Sequence, residues 1–520
     1  MNTAEFLQIS SAVVPERTAL ACGDQRITYM EMAQRVNRLA NALQARGVQR
    51  GTRVAVMAMN SPMYVETYYA CAKLGATFVP LNYRAKKEEI VHMLNNSEAS
   101  VLFVGERYLE LVESLAPQLP KVAQRICIDG TPAGMFNYEE LLAKGSDDEI
   151  YVDIDETDPT ALMYTSGTTA LPKGVVLTYL TLSVYVVNTM SPANPEDEAE
   201  VTLLSVPVYH VAGLTAIMSS IWGGRTLAIL PQFEPQLWLE AVQRERVTHS
   251  FIVPTMLKRI MDHPQFDKYD LSSLKLITYG AAPMPYEVVR RAVDVFKCGL
   301  MNAYGQTEST STMTYLGPED HHIEGTEEEK AKKLQRLRSV GRPMDDVQIA
   351  IMDRGNNILP PFKEGEICVT GARIMREYHG QKEATAEAIQ NGWLHTGDVG
   401  YLDDDNYLFI TGRTKDLIIR GGENISPGEI ENCLEEHPSV VEAAVIGVPD
   451  VEWGETVMAL MVLKPGKSLT EEAVIRYCKE RLASFKAPSR VAFVDELPRN
   501  PLGKVLKTDL RKQYGQATPA

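Results

Sequence analysis

Residue types that bind phosphate groups are concentrated in one short stretch, residues 164–174, which reads YTSGTTALPKG. Hydroxyl side chains and backbone amides can donate hydrogen bonds to phosphate oxygens, and Lys173 adds a positive charge. Gly167 allows the backbone to come close to a ligand. Because a glycine follows Lys173, the stretch does not match the Gly-x4-Gly-Lys-Ser/Thr loop. On composition alone, a polyphosphate-binding loop and an ordinary surface turn fit equally well.

Four further polar motifs follow, and each is weak when it is taken alone. Residues 303–308, AYGQTE, combine an aromatic ring, a hydroxyl and a carboxylate, which suit base stacking, phosphate contact and capture of a hard divalent ion. Asp398, in the motif HTGD, offers a carboxylate that could bind ribose hydroxyls. Residues 412–431, GRTKDLIIRGGENISPGEIE, combine charged side chains with a glycine turn and a helix start. Lys504 follows a Pro/Gly turn near the end of the sequence.

The hydrophobic pattern predicts the scaffold that positions these motifs. Helical periodicity at 29–45 and 61–74 alternates with short apolar runs, and the same alternation returns between residues 200 and 300. Strands that alternate with helices predict a parallel sheet with helices on its faces. The runs that we assign as strands here are 53–58, 76–80, 101–104, 125–128, 159–164, 175–178, 226–230, 248–253 and 275–279.

The pattern changes between residues 319 and 411. The charged segment 319–338 is typical of a solvated helix or a mobile surface insertion. Strand-like runs at 348–352, 365–370 and 407–411 then follow one another. We therefore predict a β-rich layer after the parallel sheets.

A domain boundary is predicted near residues 412–416. It gives a large N-terminal domain at 1–413 and a small C-terminal α+β domain at 414–520. The predicted fold class is α/β, with parallel-sheet α/β layers and a β-rich layer in the large domain. The elements assigned to the small domain are helices at 427–436 and 470–482 and strands at 442–448, 456–463 and 490–495.

Composition and charge exclude several classes of partner. The 520 residues suggest roughly two to four folding units. With 45% hydrophobic and 23% charged residues, the chain has the composition of an ordinary globular protein. Its net charge of −16 repels nucleic acid and anionic membranes, so neither is a predicted partner. An anionic ligand must therefore be held by locally placed donors.

The cysteines and the apolar runs predict a cytoplasmic location. The seven cysteines contain no C-x-x-C pair, which argues against a disulfide framework or a zinc site and fits a reducing compartment. The first residues do not resemble a secretory signal peptide. Residues 201–224 carry no Asp, Glu, Lys or Arg, but Pro207 and Gly213 interrupt them. We interpret them as a buried strand followed by a buried helix, and predict no membrane-spanning segment.

Taken together and in this order, the five motifs resemble the adenylate-forming superfamily, which contains acyl-CoA synthetases, peptide-synthetase adenylation domains and firefly luciferase. The resemblance runs from about residue 10 to 512 and is closest to stand-alone acyl-CoA synthetases. One position departs from the family. The family's phosphate loop usually reads TSGTTG, whereas residues 165–170 of this chain read TSGTTA, with Ala170 at the last position. If that position needs a positive φ, alanine adds strain. A slightly different loop conformation and a weaker pyrophosphate contact are the two expectations.

The resemblance implies a two-step reaction that uses ATP, Mg²⁺ and coenzyme A. A carboxylate would attack the α-phosphate of MgATP to give an acyl-adenylate and pyrophosphate, and the thiol of coenzyme A would then displace AMP. Two anions must meet in the first step, so catalysis rests on positioning and on neutralising phosphate charge. The small C-terminal domain is expected to rotate between the steps.

The resemblance also assigns roles to single residues. Lys504 would bridge the substrate carboxylate and the α-phosphate, and Lys415 lies at the family's hinge position. Gly421 and Gly422 would line the pantetheine tunnel after the rotation. The implied phosphate and metal contacts are Thr165, Ser166, Gly167, Thr168, Thr169 and Lys173 at the β- and γ-phosphates, Thr307 at the α-phosphate, and Thr165 and Glu308 at Mg²⁺. The implied nucleoside contacts are Gly280, Ala281, Ala282 and Tyr304 at adenine and Asp398 and Arg413 at the ribose, and Gly305 is a further nucleotide contact.

The acyl pocket is expected between residues 208–213 and the strand end at 279–280. His210 occupies the position of the family's aromatic gate beside the carboxylate, although a packed histidine is the alternative. The family's amino-acid-activating domains use an aspartate in this vicinity, and none occurs between residues 201 and 230. An uncharged acyl group is therefore favoured, which leaves medium-chain, alicyclic and aromatic acids.

Two rival functions follow from the same motifs. An adenylating enzyme could load its acyl group onto a carrier protein in trans instead of coenzyme A. A non-enzymatic nucleotide sensor on this fold would be expected to lack Lys504, which is present. The small-molecule carboxylate is the predicted partner, and assembly as a homodimer is left open.

Overall fold

The computed structural model describes residues 2–132, 134–165, 171–282, 284, 286–421, 423–499 and 505–515. Within these residues the strands form four sheets. The first sheet is parallel at its centre and antiparallel at its edges. From edge to edge its strands are Arg342–Pro343, Ser311–Leu316, Gly299–Gln306, Leu276–Gly280, His249–Ile252, Val201–Leu204, Thr226–Ile229, Thr18–Cys22 and Gln25–Thr28.

The second sheet is also mainly parallel, with antiparallel strands at one edge. Every residue of Thr77–Pro80 and of Val101–Val104 is buried, as expected of parallel strands that are covered on both faces. This is why they appear in the sequence as continuous apolar runs. From edge to edge its strands are Glu377–Tyr378, Lys173–Thr178, Pro159–Thr165, Thr77–Pro80, Arg53–Met57, Val101–Val104, Gln124–Cys127 and Phe136–Asn137.

Helices between these strands begin and end at capping residues. Thr28 and Glu31 form a capping box at the start of Tyr29–Gln44. Helix Pro62–Leu74 ends at Gly75, whose φ of 67° lies in the left-handed region. The helices of the first 300 residues are Ala4–Val13, Tyr29–Gln44, Pro62–Leu74, Lys87–Ser97, Leu109–Leu115, Tyr138–Leu142, Tyr179–Thr189, Val211–Trp222, Pro235–Glu245, Pro254–Met261 and Tyr286–Val295.

The predicted β-rich layer is the third sheet, and the fourth sheet belongs to the C-terminal α+β part. The third contains Val347–Met352, Gly365–Gly371, Trp393–Leu402, Ile389–Gln390 and Leu408–Arg413. The fourth contains Glu423–Ile425, Ile418–Arg420, Gly454–Leu463, Val440–Asp450 and Arg490–Phe493. The helices after residue 300 are Pro318–His321, Glu327–Arg336, Lys382–Ala388, Pro427–Glu435, Glu471–Lys479 and Lys507–Tyr514. The predicted fold class is confirmed.

Two segments with unusual composition fold as predicted. The uncharged stretch 201–224 forms the strand Val201–Leu204 and the helix Val211–Trp222. Among the described residues, no helix is long and apolar enough to cross a membrane. In the charged segment, helix Glu327–Arg336 buries none of its residues, and it is therefore a solvated helix.

Candidate active site

The phosphate-binding stretch joins two neighbouring strands of the second sheet. Pro159–Thr165 and Lys173–Thr178 pair antiparallel, and this pairing places Thr165 directly opposite Lys173. The hydroxyl of Tyr164 donates to the carbonyl oxygen of Met93 at 3.1 Å and to Oδ1 of Asn96 at 2.7 Å. The strand that leads into the loop is thus fixed against helix Lys87–Ser97. The predicted contacts Ser166, Gly167, Thr168 and Thr169, and with them Ala170, lie outside the described residues.

A tight turn at the end of Gly299–Gln306 presents Glu308. Gly305 is required there, because a Cβ atom at this position would collide with the carbonyl oxygen of Ser311. Thr307 and Glu308 follow in a single 3-10 turn, and Thr310 has a left-handed φ of 53°. Glu308 is only 9% exposed. Burial raises the pKa of its carboxyl group, while a hydrogen bond from Tyr378 and the charges of Arg413 and Lys173 act in the opposite direction.

Tyr378 brings the phosphate strand and this turn together. Its hydroxyl donates to Oε1 of Glu308 at 2.8 Å, and the Nζ atom of Lys173 lies 4.7 Å from the centre of its ring. Sequence analysis did not identify Tyr378. Glu308, the predicted metal ligand, and Lys173, the predicted phosphate contact, are therefore linked by Tyr378, which lies outside the predicted motifs.

The predicted adenine segment begins where strand Leu276–Gly280 ends. Gly280 pairs with Ala303 of the adjacent strand, and a Cβ atom on Gly280 would collide with the carbonyl oxygen of Ala303. Ala281 follows with φ of +66°, a left-handed conformation that alanine rarely adopts. Ala282 continues the turn. Strain of this kind persists where the surroundings fix the backbone, which is typical of binding sites.

Asp398 lies between Tyr304 and Arg413. The hydroxyl of Tyr304 donates to Oδ2 of Asp398 at 2.7 Å, and Nε of Arg413 donates to Oδ1 at 2.6 Å. Burial raises the pKa of Tyr304 well above its usual value, so it remains a donor. Each carboxylate oxygen of Asp398 keeps a lone pair that could accept from a ribose hydroxyl. Tyr304, Asp398 and Arg413, which the sequence analysis predicts to bind the same nucleotide, are therefore linked by hydrogen bonds.

Glu366 is a second residue that the motifs did not indicate. Its Oε1 accepts a hydrogen bond from the backbone amide of Gly397 at 3.0 Å, and its Oε2 lies 2.9 Å from Nδ1 of His395. Gly397 has φ of +71°. Glu366 therefore fixes the turn that presents Asp398.

The predicted hinge lies at the connection between the third and fourth sheets. Lys415 is part of the 3-10 turn Thr414–Asp416, directly after strand Leu408–Arg413. Burial lowers the pKa of Lys415, and the charge of Arg413 acts in the same direction. The side chain of Asp416 accepts a hydrogen bond from Arg511 at 2.8 Å. The domain boundary and the hinge role stay predictions.

Lys504 lies outside the described residues, but the chain on either side of it is anchored. Arg499 and Val505 form a β-bridge, and the amide of Leu506 donates to the carbonyl oxygen of Pro498 at 2.8 Å. Arg499 pairs with Glu442, and Lys507 lies 2.6 Å from Glu431. Gly421, with φ of 57°, donates its amide to Trp453 at 2.8 Å, and the neighbouring Gly422 is also outside the described part.

His210 occupies the N-cap position of helix Val211–Trp222. Its ring lies 4.4 Å from that of Tyr209. A small cleft of about 20 Å³, little more than the room of one water molecule, lies beside Tyr209 at the carboxyl ends of strands from both parallel sheets, and Tyr209 and Arg84 are among the residues that line it. Ligands of open parallel sheets bind at such strand ends. Burial lowers the pKa of His210 to about 4, with a further contribution from the charge of Arg84, so His210 is neutral near pH 7.

The low pKa of His210 predicts a pH-dependent contribution to stability. Between pH 6.5 and pH 4 the unfolded chain binds a proton that folded His210 does not, so stability falls as the pH falls. The shift corresponds to about 3 kcal/mol. We expect the unfolding free energy, measured with urea, to fall between pH 7 and pH 4 in the wild type. This fall should be about 3 kcal/mol larger in the wild type than in His210→Gln. The control His322→Gln changes an exposed histidine and should show the same pH dependence as the wild type. If the unfolding free energy of His210→Gln also depends on pH as in the wild type, the low pKa of His210 is refuted.

Comparisons with known proteins identify the family. The AMP-binding enzyme family matches residues 7–379, and the AMP-binding enzyme C-terminal domain matches residues 429–504. The chain therefore belongs to the AMP-binding enzyme family, and the resemblance to adenylate-forming enzymes is confirmed.

The relatives are similar over nearly their whole length. A feruloyl-CoA synthase from Amycolatopsis is 37% identical over 96% of both chains. A fatty acid–[acyl-carrier-protein] ligase from Streptomyces coeruleorubidus is 33% identical over 96% of this chain and 94% of its own. The solved o-succinylbenzoate CoA synthetase from Bacillus subtilis, in complex with its acyl-adenylate intermediate, is 30% identical over 98% of both chains with a TM-score of 0.82. The predicted class of enzyme, a carboxylic acid–CoA ligase, is confirmed.

Proposed function

We propose that this protein is an AMP-forming acid–CoA ligase, which converts a carboxylic acid, MgATP and coenzyme A into an acyl-CoA thioester, AMP and pyrophosphate. The observation that carries the proposal is the convergence of Lys173, Glu308 and the Asp398–Arg413 pair, which come from three different sheets or turns. The charges of both Lys173 and Arg413 act on Glu308. Two cations beside the buried carboxylate of Glu308 suit a nucleoside triphosphate with a bound divalent ion.

The residues present fit Mg²⁺. One oxygen of the Glu308 carboxylate is engaged by Tyr378, and the other can coordinate a hard cation. Thr165, at the end of its strand, is proposed to add a hydroxyl ligand. When bound, Mg²⁺ would neutralise charge on the phosphates. Lys173 is proposed to bind the pyrophosphate leaving group, and Thr307 and Lys504 are proposed to hold the α-phosphate.

The nucleoside would be held by residues that are already fixed. Tyr304 is proposed to stack on adenine, with Gly280, Ala281 and Ala282 on its other side. Asp398 and Arg413 would bind the ribose hydroxyls. Because the hydrogen bonds among Tyr304, Asp398 and Arg413 exist before binding, little ordering is left for the moment of reaction.

The acyl group is proposed to be uncharged, as an aromatic, alicyclic or medium-chain acid. The small side chains of Ala212 and Ala282 are proposed to leave room for it, whereas Gly213 packs closely against the backbone of Pro207. No aspartate occurs between residues 201 and 230 to bind an amino group. Neutral His210 would lie beside the carboxylate without adding charge. Feruloyl and o-succinylbenzoyl groups in the relatives' names support an aromatic acid. A cytoplasmic location and a homodimer stay predictions.

Carboxylate-dependent exchange of pyrophosphate into ATP tests the proposal. We expect exchange with some members of a panel of aromatic, alicyclic and medium-chain acids and none with amino acids. Absence of exchange with every acid would contradict the proposal. Since one relative is named as a carrier-protein ligase, the accepted acid should then be offered coenzyme A and a phosphopantetheinylated carrier protein separately. Thioester formed only on the carrier would favour that second function.

A further inference from the structure

Tyr378 connects two residues that are far from each other in the sequence. Its hydroxyl donates a hydrogen bond of 2.8 Å to Glu308, which lies 70 residues earlier. Its ring contacts the ammonium group of Lys173, with 4.7 Å between Nζ and the ring centre. A phenol can form both contacts at once, because its hydroxyl donates to a carboxylate while its face attracts a cation.

Backbone hydrogen bonds hold the segment around Tyr378 without its side chain. The amides of Arg376 and His379 donate to the carbonyl oxygens of Val176 and Gly174 at 3.0 and 2.7 Å. On the other side, the amide of Met375 donates to the carbonyl oxygen of Glu308 at 2.7 Å. The segment therefore links the phosphate strand to the Glu308 turn even when residue 378 is changed.

We propose that Tyr378 is a positioning residue for MgATP, an inference that rests on the proposed function. The hydroxyl fixes Oε1 of Glu308 and leaves Oε2 for Mg²⁺. The ring directs the ammonium group of Lys173 toward the phosphates. The two contacts can be tested separately. Tyr378→Phe removes only the hydroxyl, whereas Tyr378→Leu removes both the hydroxyl and the aromatic face.

Calorimetric titration of ATP into the protein, without any carboxylic acid, measures binding apart from turnover. The titration is done once with excess Mg²⁺ and once with EDTA. We expect Tyr378→Phe to bind ATP about tenfold more weakly with Mg²⁺, since a hydrogen bond to a charged group contributes about 1.5 kcal/mol. In EDTA it should bind like the wild type. Tyr378→Leu should also lose affinity in EDTA, because the ring contact with Lys173 is gone.

The matched control is Tyr151→Phe, which removes a hydroxyl from a tyrosine that is 86% exposed. It should bind ATP like the wild type in both conditions. Unchanged affinity of Tyr378→Phe with Mg²⁺, or an equal loss with Mg²⁺ and with EDTA, would overturn the positioning role of the hydroxyl. Wild-type affinity of Tyr378→Leu in EDTA would overturn the role of the ring.

Failure of this inference differs from failure of the proposed function. If the wild type binds MgATP and exchanges pyrophosphate while Tyr378→Phe behaves identically, only the role of Tyr378 is wrong. If the wild type neither binds MgATP nor exchanges pyrophosphate with any acid, the proposed function is wrong and the inference falls with it.

Discussion

Replacing Lys504 with alanine should abolish adenylation and leave thioester formation largely intact. The reason is that Lys504 is proposed to neutralise the carboxylate and the α-phosphate only in the first step. Loss of one such preorganised charge typically lowers a rate by about 100- to 1000-fold. The measurement compares pyrophosphate exchange with the formation of acyl-CoA from supplied acyl-adenylate and coenzyme A.

The control for Lys504→Ala is Lys512→Ala. Lys512 is 82% exposed in helix Lys507–Tyr514, and its Nζ lies 3.8 Å from Oδ1 of Asp509 in the same helix. This variant should retain both half-reactions. The two anchors Lys507–Glu431 and Arg499–Glu442 remain in Lys504→Ala, so a general loss of folding is not expected. Equal loss of both half-reactions would remove Lys504 from the first step.

Local patterns in the sequence predict most of the scaffold. The run at 53–58 becomes strand Arg53–Met57, and the helical pattern at 29–45 becomes Tyr29–Gln44. Both signals are local, because buried parallel strands are continuously apolar and amphipathic helices have a regular period. Small differences occur at element ends, where the last residue of a strand depends on its partner.

The residues that sequence analysis missed depend on long-range pairing. Tyr378 belongs to a strand of two residues, Glu377–Tyr378, which is too short to give a periodic signal and exists only by pairing with Val175 and Val176. Glu366 reaches Gly397 and His395 only because its strand pairs with Trp393–Leu402 in one particular register. A tyrosine or glutamate in such a run has no local feature that identifies its partner. The motifs therefore identified the residues expected to touch the nucleotide, and the fold identifies those that position them.

Replacing Lys415 with proline should give the opposite result to Lys504→Ala, with adenylation retained and thioester formation lost. Proline fixes φ near −65° and biases Thr414 toward extended conformations. A rotation that changes the φ of Lys415 would then be opposed by the ring. We expect the second step to slow by roughly 100-fold, which corresponds to a barrier higher by about 3 kcal/mol. The same two half-reaction assays measure it.

Lys415→Ala separates the backbone from the charge. Alanine removes the ammonium group but leaves φ and ψ free, so the second half-reaction should fall much less than in Lys415→Pro. The turn Thr414–Asp416 is also tied down by the hydrogen bonds from Thr414 to Gly397 at 3.1 Å and from Arg511 to Asp416, which neither substitution removes. A difference between the two variants therefore reports on backbone rotation at residue 415. Full thioester formation by Lys415→Pro, or an equal loss in Lys415→Ala, would show that this residue is not the hinge.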